Sequence, residues 1–173
     1  MVAEVLSGMV QGIQGELITV QADISDGLPV FGMTGHLSSE VKEAKERVRT
    51  ALKNTGYHLP PRRVSVNLAP ADVRKSGTCY DLAIAVGILT AMGLISRESV
   101  RGILFLGELS LDGMLSPLTG VLSILKAALE AGCRICVIPL FNVKEASLLP
   151  GMKVLGFTDL EEVIHFLTGQ REE

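Results

Sequence analysis

The stretch "APADVRKSGTCYDLAIAVGIL", residues 69–89, runs from a small polar turn into an apolar helix, with Cys79 at the junction. A helix so apolar on every face must lie largely buried. A thiol at a helix start, with Arg74 and Lys75 just upstream, lies where the thiolate is favoured. Asp81 opposes this effect because it adds a negative charge two residues further on. Cys79 is therefore a candidate nucleophile.

Hydrophobic periodicity and turn residues predict the order of elements around this helix. Alternation of apolar and polar residues predicts two antiparallel strands at the start, with a third strand after them. Ser39 is the predicted N-cap of the next helix, Asp112-Gly113 a hairpin turn, and Thr158 with Glu161 a capping box for the last helix. The predicted strands are 3–12, 15–27, 28–37, 62–70, two within 102–117, 133–140 and 152–157, and the predicted helices are 38–61, 81–95, 120–132, 142–151 and 158–169.

Strands come first and then alternate with helices, which predicts an α+β fold, a mixed sheet with stacked helices. The length of 173 residues fits one domain, predicted over 1–169, with a polar tail at 170–173 that suits a linker toward a further domain. Hydrophobic residues at 47% and charged residues at 20% are typical of folded soluble proteins. The sequence has the pattern of neither a membrane span nor a signal peptide, so we expect a cytoplasmic protein without a membrane partner.

The three cysteines, in a chain without an export signal, predict reduced thiols. Cys133 and Cys136 have the spacing of a redox or zinc motif, but they lie in a predicted buried strand. Residues three apart on a strand face opposite sides of a sheet, so the two sulfurs are expected to point apart. No second CxxC or histidine cluster completes a metal site. We therefore expect two small buried hydrophobes and no metal.

Common cofactor motifs are missing from the sequence. It contains no GxxxxGK[ST] and no Gly-Lys pair, so we expect no ATP binding through a P-loop in this chain. It contains no HExxH, and its three histidines lie in separate elements without acidic neighbours at ligand spacing. The residues predict a chain without a cofactor of its own.

Several phrases together resemble one protein family. They are "GLP", "VKEAKERVRTAL", "RVSVNLAPAD", "YDLAIAVGIL" and "FLGELSLDGMLSPLTGVL", in this order. The sequence resembles the N-terminal region of the Mg-chelatase-related, competence-type AAA+ ATPases, the ComM/YifB family, from residue 4 to residue 168. This resemblance implies a fold similar to the proteolytic domain of Lon proteases, as in the ribosomal protein S-five second-domain superfamily.

The similarity to Lon-type peptidases places Cys79 at the nucleophile position and Ile124 at the position of the lysine base. A nucleophile needs a general base within about 3 Å, and a hydrocarbon side chain cannot accept a proton. Lys126 lies two residues further along the predicted helix, about 200° around its axis. Tyr80 and Asp81 stand where the peptidases have Ala-Gly. We therefore expect no catalytic residue: Cys79 is interpreted as structural, and Asp81 as a carboxylate that stabilises the helix start.

Charge is unevenly distributed along the chain. Residues 40–75 carry a net charge of +5 and the remainder −8. Basic residues at helical spacing form a stripe on the predicted helix, which fits a solvated face partly balanced by Glu43 with Arg47, or a contact to DNA phosphates or to an acidic subunit. No aromatic residue is interleaved, so stacking on single strands is not indicated. The candidate contact residues are Lys42, Lys45, Arg49, Lys53, Arg74 and Lys75.

The resemblance implies that this chain is a non-catalytic N-terminal accessory and assembly domain and not itself an enzyme. In that family an AAA+ motor follows, forms hexameric rings and, in the competence branch, drives DNA branch migration. The implied partners are the protein's own AAA+ domain, neighbouring ring subunits and, in the full-length protein, DNA. ATP and Mg are expected only in the motor domain. The alternative hypothesis is a Lon-like peptidase that uses Cys79 without the lysine.

Overall fold

The computed structural model describes residues 2–169 and is built on a long antiparallel strand pair. Strands β1 (Ala3–Gln11) and β2 (Gln14–Ser25) pair from Ala3 opposite Ala22 to Gln11 opposite Gln14. Gly12 has a φ of 65° in the turn between them, a conformation that glycine adopts without strain. This predicted pair is confirmed.

The main sheet has seven strands and is mixed, as predicted. The remaining strands of the described residues are β3 (Phe31–Thr34), β4 (Arg63–Ala69), β5 (Ile103–Phe105), β6 (Glu108–Leu109), β7 (Leu115–Ser116), β8 (Ile135–Pro139) and β9 (Lys153–Phe157). The order is β3-β4-β2-β1-β5-β8-β9. The pairs β1/β2 and β2/β4 are antiparallel, whereas β3/β4, β1/β5, β5/β8 and β8/β9 are parallel. The separate pair β6/β7 forms the predicted hairpin, but residues 102–117 contain three strands, β5, β6 and β7, and not the predicted two.

Helices pack on both faces of this sheet. They are α1 (Ser39–Lys42), α2 (Ala44–Asn54), α3 (Asp81–Ala91), α4 (Arg97–Val100), α5 (Val121–Glu130), α6 (Val143–Ala146) and α7 (Leu160–Leu167), with a 3-10 turn over Leu140–Asn142. One core cluster joins α2, α3 and α7 to side chains such as Val5 and Val20. A second cluster joins α5 and α6 to the other face, against Leu6 and Val10. Within residues 2–169, none of the helices has the length and apolar character that crossing a membrane requires.

Helix α3 confirms the prediction from the opening stretch. Every residue from Asp81 to Thr90 is buried. Apolar side chains surround the helix on all sides because it lies between the sheet and α2. The helix therefore fixes the turn 76–80, which precedes it, against the core.

Several predicted element boundaries are wrong by a few residues. The N-cap of α1 is Ser38, not Ser39, and its Oγ accepts from the Val41 amide. The single helix predicted over 38–61 is interrupted at Glu43, which separates α1 from α2. The N-cap of α7 is Asp159, whose carboxylate accepts from the Glu162 amide, not Thr158.

Two further predictions need correction in the strands. The third predicted strand exists as β3, but it pairs in parallel with β4 at the sheet edge. Cys133 lies before β8 and not within it, and both Cys133 and Cys136 belong to the second core cluster, so they do not face opposite sides of the sheet. Both are free and buried, and within residues 2–169 no metal-binding cluster is present.

The strand pair and α5 approach each other so closely that only glycine fits at Gly15. A Cβ built there would lie 2.2 Å from the Ser123 backbone oxygen and 2.8 Å from the Ile124 Cα. Because both atoms are backbone, the helix would have to move. This approach sets the position of Ile124 relative to the sheet.

Gly15→Ala is expected to lower the free energy of unfolding by about 2 to 3 kcal/mol, the usual cost of overpacking a rigid contact. Urea unfolding followed by circular dichroism measures it. The matched control is Gly32→Ala in β3, where a Cβ would meet nothing within 4 Å and whose φ is not positive. Equal stability of the two variants would mean that α5 does not rest on Gly15.

Candidate functional site

The turn 76–80 places the Cys79 side chain against β1. The Cys79 Sγ donates to the Gly8 carbonyl oxygen at 2.9 Å. The backbone of the same residue is held on its other side, where the Gly107 amide donates to the Cys79 carbonyl at 3.0 Å. The thiol is thus half-buried and bonded to β1, while the Cys79 backbone is bonded to the segment between β5 and β6.

A surface cavity of about 320 Å³ opens beside the thiol; we call it the Cys79 cavity. Cys79 and Ile124 both line it, together with Thr78, Glu108 and Thr119. The positions that the resemblance assigns to the nucleophile and the base therefore do meet in space. Cys79 lies in the turn before α3 and Ile124 in α5, so local sequence patterns alone do not bring them together.

Among the described residues, no lysine, arginine or histidine lines this cavity. Ile124 is only 2% exposed and presents a hydrocarbon surface. Lys126 is exposed and lines a different cavity with Ile13 and Gln14, as the helical geometry predicted. Of the described residues that line the Cys79 cavity, Glu108 alone has a carboxylate, and it accepts a hydrogen bond from Thr78 Oγ1 at 2.8 Å.

Burial decides the protonation state of this thiol. It raises the pKa of Cys79 to about 12, and the nearby negative charge of Asp81 acts in the same direction. The expected lowering by upstream cations is therefore wrong. At neutral pH the sulfur is protonated, which makes it a poor nucleophile.

Lys75 is one of the two predicted cations, and its side chain is fully buried. Its Nζ donates to the Pro70 carbonyl oxygen, and burial lowers the pKa of the ammonium. Lys75 therefore does not share a surface with the other candidate contact residues, which corrects its predicted place among them. Arg74, the second cation, is exposed.

Asp81 makes a buried ion pair that links three elements. Arg47 Nε and Nη2 donate to its two carboxylate oxygens at 2.7 and 3.1 Å, and the Leu109 amide donates at 3.1 Å. Burial raises the pKa of the Asp81 carboxyl, while the Arg47 guanidinium opposes that rise. The expected pairing of Arg47 with Glu43 is therefore wrong, because the guanidinium turns inward to the buried Asp81 carboxylate.

Side chains from other elements hold the turn itself. Glu40 Oε2 accepts from the Gly77 amide at 3.1 Å. Tyr80 is 1% exposed, and its hydroxyl is buried without a hydrogen-bond partner among the described residues. Where the peptidases have two small residues, this chain therefore has a large buried ring and a buried ion pair, which fill the space on the core side of the turn.

The predicted basic stripe lies at the surface in part. Lys42, Arg49 and Lys53 are exposed and Lys45 is half-buried. The interruption at Glu43 separates Lys42 from the other three. The Arg49 guanidinium lies 5.9 Å from the centre of the Phe31 ring, within the range of a cation–π contact.

Arg47 and Glu40 are site residues that the sequence analysis missed. A buried carboxylate at the start of an apolar helix requires a counter-charge, so Asp81 itself was the available signal. Nine basic residues between positions 40 and 75 could have supplied it. Helical spacing gave no means of choosing Arg47, which is 34 residues away.

Native alkylation of Cys79 at pH 8 is expected to be about a hundredfold slower than in urea, because the raised pKa leaves little thiolate. Residue-resolved mass spectrometry after iodoacetamide treatment measures it. The thiol's contribution to stability is complete below its ordinary pKa near 9 and is lost as the pH rises through about 12. Equal rates in native and unfolded protein would contradict the buried, protonated state.

The structure thus defines a mixed α+β domain in which Cys79 and Ile124 line one surface cavity. Comparison with known sequences gives the family. Residues 20–142 match the family described as "Subunit ChlI of Mg-chelatase", and this chain belongs to that family.

Longer relatives agree with this assignment. Competence protein ComM of Haemophilus influenzae is 38% identical over 170 residues, which is 98% of this chain and 33% of that protein. The uncharacterized protein YifB of Escherichia coli is 37% identical over 159 residues, 92% of this chain and 31% of that protein. These matches confirm the predicted resemblance to Mg-chelatase-related, competence-type AAA+ ATPases. The chain spans about a third of the length of these relatives.

A weaker similarity extends to Lon proteases. The Lon protease of Mycolicibacterium smegmatis is 27% identical over 167 residues, which is 90% of this chain and 21% of that protein. Together with the mixed sheet and its helices, this similarity confirms the predicted Lon-like fold.

Proposed function

We propose that this chain is a non-catalytic accessory and assembly domain of a Mg-chelatase-related AAA+ ATPase that acts on DNA. The observation that carries the proposal is that Cys79 and Ile124 line one cavity, whose described lining residues include no lysine or histidine. A thiol with a pKa near 12 has no means of losing its proton there. The fold is that of a peptidase, but the chemistry that would cleave a peptide bond is missing.

The remainder of the proposal concerns the protein of which this domain is part. Its relatives are about three times as long, and one is named a competence protein. The AAA+ domain of the full-length protein binds ATP and Mg and assembles into a hexameric ring in the cytoplasm. The present domain packs against that motor and against neighbouring subunits. It takes no cofactor of its own.

The basic stripe is the surface that we assign to these contacts. Exposed cations at Lys42, Arg49 and Lys53, with Lys45 beside them, suit DNA phosphates or an acidic neighbouring subunit. The net charge of −3 over the whole chain makes any binding to DNA weak and strongly dependent on salt. Arg74 is exposed and belongs to the same set.

The test is charge reversal in the full-length protein. Lys42→Glu, Lys45→Glu and Arg49→Glu together are expected to reduce salt-sensitive retention of duplex DNA or the fraction of protein assembled in rings. The matched control reverses three exposed cations elsewhere, Arg101, Lys126 and Lys144. If the stripe variant retains DNA and assembles as well as the parent protein, the stripe is only a solvated surface without a binding role.

A Lon-like peptidase is the second candidate function, because Cys79 lines an open cavity. It requires cleavage of an unfolded, dye-labelled polypeptide that disappears with Cys79→Ser. We expect no cleavage by the parent chain between pH 6 and pH 9. Cleavage that depends on Cys79 would replace the accessory role as the function of this domain.

A further inference from the structure

A second cavity, of about 300 Å³, lies between the edge strand β3, helix α2 and the turn at residues 60–62. Seven of its nine lining residues are of apolar type, Val30, Phe31, Leu59 and Pro60 among them, and the surface that they and two arginines expose is about equally polar and apolar. Val30 is 54% exposed, so its side chain is accessible at the groove. We call this cavity the β3 groove.

Two guanidinium groups, on different elements, also line the β3 groove. Arg49 comes from α2 and Arg62 from the turn that leads into β4. Prolines beside Arg62 restrict its backbone, and the Phe31 ring restrains Arg49. Both guanidinium groups therefore lie at the groove without a bound ligand.

The present partners of these guanidiniums are weak. Arg49 lies 3.6 Å from Glu46, and Arg62 lies 3.2 Å from Asp26. The Glu46 and Asp26 side chains are 74% and 99% exposed. Ion pairs this exposed contribute little, so an incoming carboxylate can replace them.

We propose that the β3 groove binds a polypeptide segment in which an acidic residue stands next to a large apolar one. The apolar side chain occupies the space beside Val30 and Phe31, and the carboxylate lies between Arg49 and Arg62. The planar guanidinium suits a carboxylate because it donates two parallel hydrogen bonds. The net charge of +5 over residues 40–75 attracts an acidic partner.

The groove favours a protein partner over DNA. Apart from its two guanidiniums, its lining is mostly hydrocarbon, and its volume lies at the lower end of the range for binding pockets. A DNA phosphate backbone would form ion pairs with the two guanidiniums but would leave the apolar lining residues exposed to solvent. The inference goes beyond the proposed accessory role, because it holds or fails on this chain alone.

The test is fluorescence anisotropy with a labelled peptide of three Glu-Leu repeats. We expect saturable binding by the parent chain, at least tenfold weaker in Arg62→Glu and in Val30→Asp. Both side chains are substantially exposed, so these variants retain the fold. The matched control is Arg101→Glu, an equally simple reversal of an exposed, ion-paired arginine outside the groove.

Three results would overturn the proposal. The first is that the Glu-Leu peptide does not bind saturably, and the second is that a Lys-Leu peptide binds equally well. The third is that a duplex DNA probe binds and that both Arg62→Glu and Val30→Asp weaken its binding. Each is measured with this chain alone. Failure here therefore leaves the motor-associated role of the full-length protein to its own experiment.

Discussion

Arg47→Leu is expected to lower the free energy of unfolding by about 3 to 5 kcal/mol, because it leaves a buried carboxylate without its counter-charge. The Asp81 side chain is 1% exposed and that of Arg47 is 18% exposed. Three donors now satisfy the carboxylate, and two of them belong to Arg47. Removing them leaves the Leu109 amide as the remaining donor.

The loss of stability in Arg47→Leu depends on pH, and the burial of Asp81 determines whether it grows or shrinks as the pH rises. Burial already raises the pKa of the carboxyl, and loss of the guanidinium raises it further. Where the pKa of a carboxyl is higher in the folded than in the unfolded protein, the free energy of unfolding falls as the pH rises through the folded pKa. The deficit of Arg47→Leu is therefore expected to be larger at pH 7 than at pH 4.

Urea unfolding at both pH values measures this deficit, and a double-mutant cycle with Asp81→Leu isolates the coupling. The double variant is expected to lose less stability than the sum of the losses in the two single variants, because it leaves neither charge buried without a partner. Arg101→Leu is the control, since its exposed pair with Glu98 contributes at most about 1 kcal/mol. An equal deficit at pH 4 and pH 7 would mean that the Asp81 charge is not responsible.

The sequence was most informative where local periodicity determines structure. The uninterrupted apolar run after Asp81 required a buried helix, and alternation required the β1/β2 pair. Local patterns leave strand partners open, so β3 was found as a strand but not as a parallel neighbour of β4. Adjacent serines at 38 and 39 can both cap a helix, and only the backbone geometry selects Ser38.

The site divides in the same way. The resemblance brought Cys79 and Ile124 together, and the structure places both at one cavity. The inward turn of Arg47 and the burial of Lys75 depend on tertiary packing, which no spacing rule contains. A lysine beside a polar turn resembles a surface cation in sequence, because its burial comes from segments distant along the chain.

Ile124→Lys is expected to increase the alkylation rate of Cys79 at pH 8 by at least tenfold. The new ammonium would line the same cavity as the thiol and stabilise its thiolate, which lowers the pKa from about 12. The amine also loses hydration at a position that is 2% exposed, so we expect a cost in stability of about 3 kcal/mol or more. Residue-resolved mass spectrometry reports the rate, and urea unfolding reports the stability.

Ile124→Met is the matched control, because it keeps an apolar side chain of similar volume and is expected to leave the alkylation rate unchanged. Ile124→His provides a smaller basic group if the lysine variant does not fold, and its imidazole is expected to raise the rate through a Cys-His pair. A folded basic variant whose Cys79 stays as unreactive as in the parent chain would show that position 124 does not act on the sulfur. The proposed lack of peptidase activity would then need a cause other than the isoleucine.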